Sequence, residues 1–349
     1  MRTARGIRAL AVTGSLALAG MGLVACGGSE TPEPTDTKPT VRVGLAFDIG
    51  GRGDKSFNDA AAAGLDQARS TLEIEAKDLP ATLNEPEEDK YTRLMSLCRD
   101  GGYDPVIAVG FAYATALQRA AADCPNTKFA IVDDASVEAP NVTSLTFAEE
   151  EGSFLVGAAA ALKSQTGHIG FVGGCAVPLI AKFEAGYVAG AKAVNPDIVV
   201  DVNYLSTPAQ ACSGFNDPGN GKIAAEGMYD NGADIVYQAA GGSGVGVFQA
   251  ASEKGKLAIG VDSDQYETVD AALRDVIITS MLKRVDVAVF NFIKDFAEGN
   301  FKAGEQKFDL ERDGVGYSTS GGFIDDIVDE LDDFKAKIVD GTITVPTEP

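Results

Sequence analysis

The chain predicts an α/β fold of two doubly wound lobes, each built on a mostly parallel sheet, with a hinge between them. Two observations carry that expectation. From residue 41 onward, short β-prone apolar runs alternate with alanine-rich or amphipathic helical stretches, the pattern that right-handed crossovers require. A length of 349 residues with 45% hydrophobic content is sufficient for two cores rather than one.

The first forty residues stand apart from that alternation. Arg2, Arg5 and Arg8 form a positive start, a short apolar stretch follows, and it stops at Leu23-Val24-Ala25-Cys26. Residues 1–25 resemble a bacterial lipoprotein signal, which makes Cys26 the lipid-bearing first residue of the mature chain. A transmembrane anchor is the alternative, and the run is short and glycine-rich for a span. Residues 26–40 are polar and rich in Pro and Thr, a composition that buries too little to fold and acts as a flexible tether. The folded part is thus expected outside the cell, held to the cell membrane through lipid only.

A strand over 41–47, a turn with Gly50, Gly51 and Gly53, and an alanine-rich helix open the folded part. Ser56 followed by Asp59 resembles a capping start for that helix. Asp48 falls at the carboxyl end of the strand, with Phe57 and Asn58 in the first helical turn, where open α/β sheets place ligands. Strands are then expected over 72–78, 105–109, 128–132 and 142–146, with helices over 91–99 and 115–122 between them. Gly110 and Phe111 follow the third strand, and Asp133 and Asp134 the fourth. The helix over 149–163 begins with three glutamates, placed where the helix dipole favours them.

A second series repeats the pattern, with strands over 168–172, 197–204, 234–238, 257–261 and 276–280 and helices over 183–192, 221–229 and 245–254. The expected division is 41–147 plus 264–300 for the first lobe and 148–263 plus 301–349 for the second. A ligand then sits between the carboxyl edges of the two sheets.

Beyond Cys26, four cysteines remain, Cys98, Cys124, Cys175 and Cys212, an even number that fits an oxidising location. Three pairings are open. Cys98 with Cys124 and Cys175 with Cys212 is preferred, because each bond then stays within one lobe and leaves the hinge free. A zinc site is the alternative, but CxxC is missing and His168 is the only histidine. His168 opens a strand and reads as structural.

Composition narrows the function. With 51 acidic against 29 basic residues the formal charge is −22, which argues against nucleic acid or anionic lipid as partners. The glycines at 241, 242, 244 and 246 imitate a dinucleotide fingerprint, but GxGxxG is not completed at either start; they read instead as letting backbone amides approach a ligand at a helix N-terminus. GxSxG, Walker A and HExxH motifs are missing, and Asp262 and Asp264 begin a calcium loop that fails at Glu267, where glycine is needed. The acid-rich run 325–334 reads as the wet face of a helix. The expectation is a binding protein with no catalytic residues, no cofactor and no metal.

Taken in order, GGRGDKSFN, AIVDD, EEEGSFLVGAAAAL, VPLIAKFEAGYVAGAK, QAAGGSGVGVF, IGVDSDQ and ITSMLKRVD, behind the lipobox, resemble the basic membrane protein family over about 41–323. Its members are substrate-binding lipoproteins of ABC transporters, similar to PnrA purine nucleoside receptors, with a type I periplasmic-binding-protein fold. The resemblance implies a nucleoside ligand and ABC permease and ATPase subunits as partners. It also implies roles. Phe57 and Phe183 sandwich the base, Asp48, Asn58 and Asp133 contact the ligand from the first lobe, Gly242 and Asp262 do so from the second, and Lys283 adds a cation at the ribose.

Each role has a plainer alternative: core packing for Phe57 and Phe183, a cap for Asp133, a helix surface for Lys283. The turn Ile49-Gly50-Gly51-Arg52 and the four cysteines depart from the family pattern. Two other functions stay open, a binding protein or sensor for another metabolite such as a sugar, and an exported nucleoside hydrolase.

Overall fold

The computed structural model describes residues 40–83 and 85–349, so the expected signal segment, the lipidated Cys26 and nearly all of the tether lie outside the described residues. The first sheet takes its strands from the first alternation: β1 (Arg42–Ala46), α1 (Phe57–Thr71), β2 (Glu75–Leu79), α2 (Glu87–Met95), β3 (Val106–Ala108), α3 (Ala114–Asp123), β4 (Phe129–Val132) and β5 (Val142–Phe147). The second alternation opens with α4 (Glu149–Lys163), β6 (His168–Gly173), α5 (Pro178–Val194), β7 (Val199–Tyr204) and α6 (Pro218–Asp230). It continues through β8 (Ile235–Ala239), α7 (Gly244–Lys254), β9 (Leu257–Asp262), the short α8 (Gln265–Thr268) and β10 (Ile277–Lys283). The chain closes with α9 (Val285–Ala297), β11 (Gly304–Phe308), β12 (Val315–Tyr317) and α10 (Val328–Val339).

Hydrogen bonding assembles two six-stranded sheets, ordered β11-β5-β4-β3-β1-β2 and β12-β10-β9-β8-β6-β7. Every pairing is parallel except that of β12 with β10. The central strands β4 and β8 are buried throughout, as strands covered by helices on both faces must be, while the edge strands β2 and β7 are partly exposed. Both sheets reverse order beside their first strand, between β1 and β3 and between β6 and β8. Such switch points open crevices at the carboxyl ends of the strands.

Sheet membership corrects the expected division at the carboxyl end. Strand β10 lies in the second sheet, not with the first lobe, and β11 lies in the first sheet, not with the second. Helix α9 packs on α1, so the chain passes between the sheets after β5, after β10 and after β11. The middle passage comes at Lys283 rather than near Asp264.

Helices α4 and α5 cross with backbones in contact. A Cβ on Gly157 or Gly190 would collide with the backbone carbonyl of Tyr187 or Phe154, so only glycine permits this approach. The close crossing brings the amino end of α4 beside α5. The disulfides are Cys98–Cys124 and Cys175–Cys212. His168 stands at the start of β6 with Nε2 3.0 Å from Asp201.

The start of α1 differs from the expected capping box. Ser56 precedes the helix but caps nothing; Asp54 accepts the amide hydrogens of Ser56, Asn58 and Asp59 at 2.9, 2.8 and 3.1 Å. Asp59 turns back onto the amides of Gly53 and Lys55. The freed Ser56 hydroxyl donates instead to Asp262, across the cleft.

Candidate ligand-binding site

The carboxyl ends of the two sheets face each other across a cavity with about 560 Å³ of empty space. Seven of the eight expected ligand residues line it: Asp48, Phe57, Asn58, Asp133, Phe183, Asp262 and Lys283. The eighth, Gly242, does not; its neighbour Gly241, at φ 55°, forms the wall instead.

Each lining side chain is placed by the end of an element. Asp133 and Asp262 directly end or follow β4 and β9, and both have left-handed backbones, φ 69° and 64°. Asp tolerates that conformation, and non-glycine residues held in it cluster at ligand sites. Phe57 starts α1, Phe183 lies on the first turns of α5, and Lys283 is the last residue of β10.

Lys283 is the centre of the site. Its side chain is 2% exposed, its Nζ donates to Asp133 Oδ2 at 2.5 Å, and Glu149 Oε1 lies 3.5 Å away. Three rings surround the same ammonium, Phe57 at 5.0 Å, Phe147 at 5.1 Å and Phe183 at 5.6 Å. Cation–π attraction makes aromatic faces suitable neighbours for a desolvated ammonium. Burial alone would lower its pKa, but Asp133, Glu149 and Asp262 outweigh burial and hold it above the ordinary lysine range. Glu149 is itself bridged on its other oxygen to Lys182 at 3.2 Å.

The carboxylates are strained in the opposite sense. Burial pushes Asp133 up to about 7, with Lys283 opposing and Glu149 adding to the rise. Burial also raises Asp48 and Asp54, each to about 6, and raises Asp262 against the pull of Lys283 and the Ser56 hydroxyl. Asp133 Oδ1 and Glu149 Oε1 are buried with no hydrogen-bond partner among the described residues. Buried acceptors left in that state are costly, and a donor entering the cavity could relieve Asp133, which lines it.

Asn58 is otherwise engaged. Its amide donates to Ile49 O and to Asp54 and its carbonyl accepts from the Asp48 amide, so it chiefly fixes the turn above the cavity. Lining residues that the sequence reading did not assign include Asp54, Phe111, Phe215, Leu179 and Ile180. Asp54 had a signal, an acidic residue three before the helix start in GGRGDKSFN. Phe215 had none, since it sits in a loop far along the chain.

Among the described residues, no group of three or more His, Cys, Asp or Glu side chains is placed to hold a metal ion. No helix among them is long and apolar enough to cross a membrane.

The profile of a family described as "ABC transporter substrate-binding protein PnrA-like" matches residues 41–348. A Listeria innocua protein named CD4+ T-cell-stimulating antigen is 34% identical over 95% of this chain and 96% of its own length. A Lactococcus lactis protein named ABC transporter nucleoside-binding protein BmpA is 33% identical over 98% of this chain and 99% of its own. The crystal structure of an ABC transporter solute-binding protein from Aeropyrum pernix superposes with a TM-score of 0.76 at 31% identity, covering 88% of this chain and 93% of that one. The architecture it shares is that of the type I periplasmic-binding proteins.

Proposed function

We infer that this chain, which belongs to the family of PnrA-like ABC transporter substrate-binding proteins, captures nucleosides of the purine class in its interlobe cavity and delivers them to an ABC permease with its ATPase. The observation that carries the reading is the buried Lys283 ammonium, bracketed by Asp133 and Glu149 and faced by three aromatic rings, beside an acceptor with no partner. Aromatic faces stack on a planar base, each such contact contributing roughly 1–3 kcal/mol. Buried carboxylates accept from neighbouring sugar hydroxyls, and a lysine between them donates to a ring or hydroxyl oxygen. A nucleoside presents both surfaces in one molecule. The Lactococcus lactis relative, by its name a nucleoside binder, supports the same ligand class.

The charge of the lining refines the ligand. Four carboxyl groups, Asp48, Asp54, Asp133 and Asp262, face one ammonium, so a phosphorylated ligand meets repulsion that a neutral nucleoside does not. The lobes close on the ligand by hinge motion, since contacts from both sheets are complete only when they meet. Members of the family are substrate-binding proteins, and binding without turnover is the function inferred here. The lipoprotein-like sequence of residues 1–25 with Cys26 supports a location on the outer face of the cell membrane, held by lipid.

The test is mass spectrometry of any ligand retained through purification, followed by calorimetric titration with adenosine, guanosine, inosine, inosine 5′-monophosphate and a sugar panel. Purine nucleosides are expected to bind, with the monophosphate weaker by tenfold or more. Phe57→Ala combined with Asp262→Ala is expected to abolish binding while circular dichroism stays unchanged. Binding of sugars alone, parent-like affinity in that double variant, or release of free base from inosine would overturn the reading.

A further inference from the structure

We propose that the Cys175–Cys212 disulfide is the mount of a cleft gate, fixing Phe215 where it closes against Phe111 and so setting how long a ligand is retained. The proposal rests on the reading of the cavity as the ligand site and adds to it the element that controls exit.

Phe111 follows β3 in the first sheet, and Phe215 lies in the 205–217 loop between β7 and α6 of the second. Their rings meet edge to face, centroids 6.5 Å apart at 66°, so the pair spans the interlobe gap. Both line the main cavity, and both also line an adjoining compartment of about 420 Å³ that shares Asp48 and Ile49 with it. The pair is therefore a partition between two spaces. Opening it joins them.

The loop has reason to move without restraint. Residues 207–211 are exposed, and Ala211 and Cys212 are consecutive non-glycine residues in the left-handed region, at φ 53° and 50°. Such backbone persists only where its surroundings over-determine it. The restraints are visible at both ends. Cys212 is bonded to Cys175, which is fully buried just past the carboxyl end of β6. On the far side Ser206 Oγ donates to Gly174 O at 2.7 Å and accepts from Gly214 N, while Ser243 Oγ donates to Gly214 O at 2.6 Å.

Between these anchors the Phe215 ring lies over Gly174, where any Cβ would collide with it. Hydrogen bonds hold the base of the loop; the disulfide alone ties the strained, exposed stretch to the sheet. Both cysteines sit in one lobe, so the bond leaves the hinge free while stiffening one jaw.

The test compares dissociation rates of the tightest-bound purine nucleoside by stopped flow. Cys175→Ser with Cys212→Ser is expected to raise the dissociation rate about tenfold with little change in association. Cys98→Ser with Cys124→Ser is expected to lower the melting temperature and leave dissociation unchanged. Phe215→Ala should raise dissociation alone, Phe215→Tyr should restore it, and adding Phe215→Ala to the cysteine pair should produce no further increase, because coupled sites are not additive.

Hydrogen exchange of the ligand-free protein gives a second readout, with residues 205–217 exchanging faster in the Cys175/Cys212 variant. Parent-like exchange or parent-like dissociation in that variant, or additive effects with Phe215→Ala, overturns the mount. A parent that binds no nucleoside but shows the exchange difference overturns the ligand assignment and with it the retention role.

Discussion

Asp133 holds the most informative side chain in the cavity, because its two oxygens have different fates: one accepts from Lys283 at 2.5 Å and the other is buried and unpartnered. Burial pushes its pKa from 3.8 up to about 7. With the folded value above the unfolded one, the stability that the protonated carboxyl gives the ligand-free fold is fully present below pH 3.8 and lost as pH rises through about 7. The bound state has the opposite preference, since a hydroxyl donor gains most from an ionised acceptor. Affinity for a purine nucleoside is therefore expected to rise between pH 6 and pH 8. Asp133→Asn should remove that rise and weaken binding by roughly 1.5–3 kcal/mol, about ten- to hundredfold. Titrations at three pH values check it, and a variant with an unchanged pH profile would assign the dependence elsewhere. This residue's position was legible, because an acidic pair after an apolar strand marks a sheet's carboxyl end. Its pairing with Lys283 was not read from the sequence, since 150 residues separate the two.

At the level of elements, the same chemical change has opposite consequences on two helices. Gly186 on α5 faces the backbone of α4, and a Cβ there would run into the carbonyl of Glu150. Gly227 on α6 has nothing within 4 Å of where its Cβ would be. Gly186→Ala is expected to destabilise by about 1–3 kcal/mol through overpacking. Gly227→Ala is expected to stabilise by about 0.5–1 kcal/mol through lost freedom of the unfolded chain. Paired denaturant unfolding curves test both, and a neutral Gly186→Ala would mean the crossing relaxes at little cost. Strands such as β4 and β8 were readable because both faces are buried and the run of apolar residues is unbroken. Helix α9 was not assigned from the sequence, although Val285, Ala288, Val289, Phe292 and Ile293 repeat at helical spacing. The cap of α1 was misread because Ser56 and Asp54 both offer an oxygen near the first turn, and only the cleft decides that serine faces Asp262.

For the whole molecule, periodicity shows that strands exist but not which sheet receives them. Strands β10, β11 and β12 fall in the second, first and second sheets in turn, an exchange set by packing between segments far apart in sequence. The consequence is a pair of lobes joined by three passages and also tied across the cleft. Ser56 Oγ donates to Asp262, Ser263 Oγ to Ser56 O at 3.3 Å, and Gln265 Nε2 to Lys55 O at 2.8 Å. These ties need no ligand, so they bias the free protein toward closure and lower the ordering that a ligand must drive. Weakening them shifts the open population without touching the aromatic walls. Ser56→Ala with Gln265→Ala is expected to enlarge the radius of gyration of the ligand-free protein and to lower apparent affinity, while a saturating nucleoside returns the variant to the parent's dimensions. Small-angle scattering with and without ligand measures this. Equal dimensions of parent and variant in the free state would show that closure is set by the three passages and not by the contacts across the cleft.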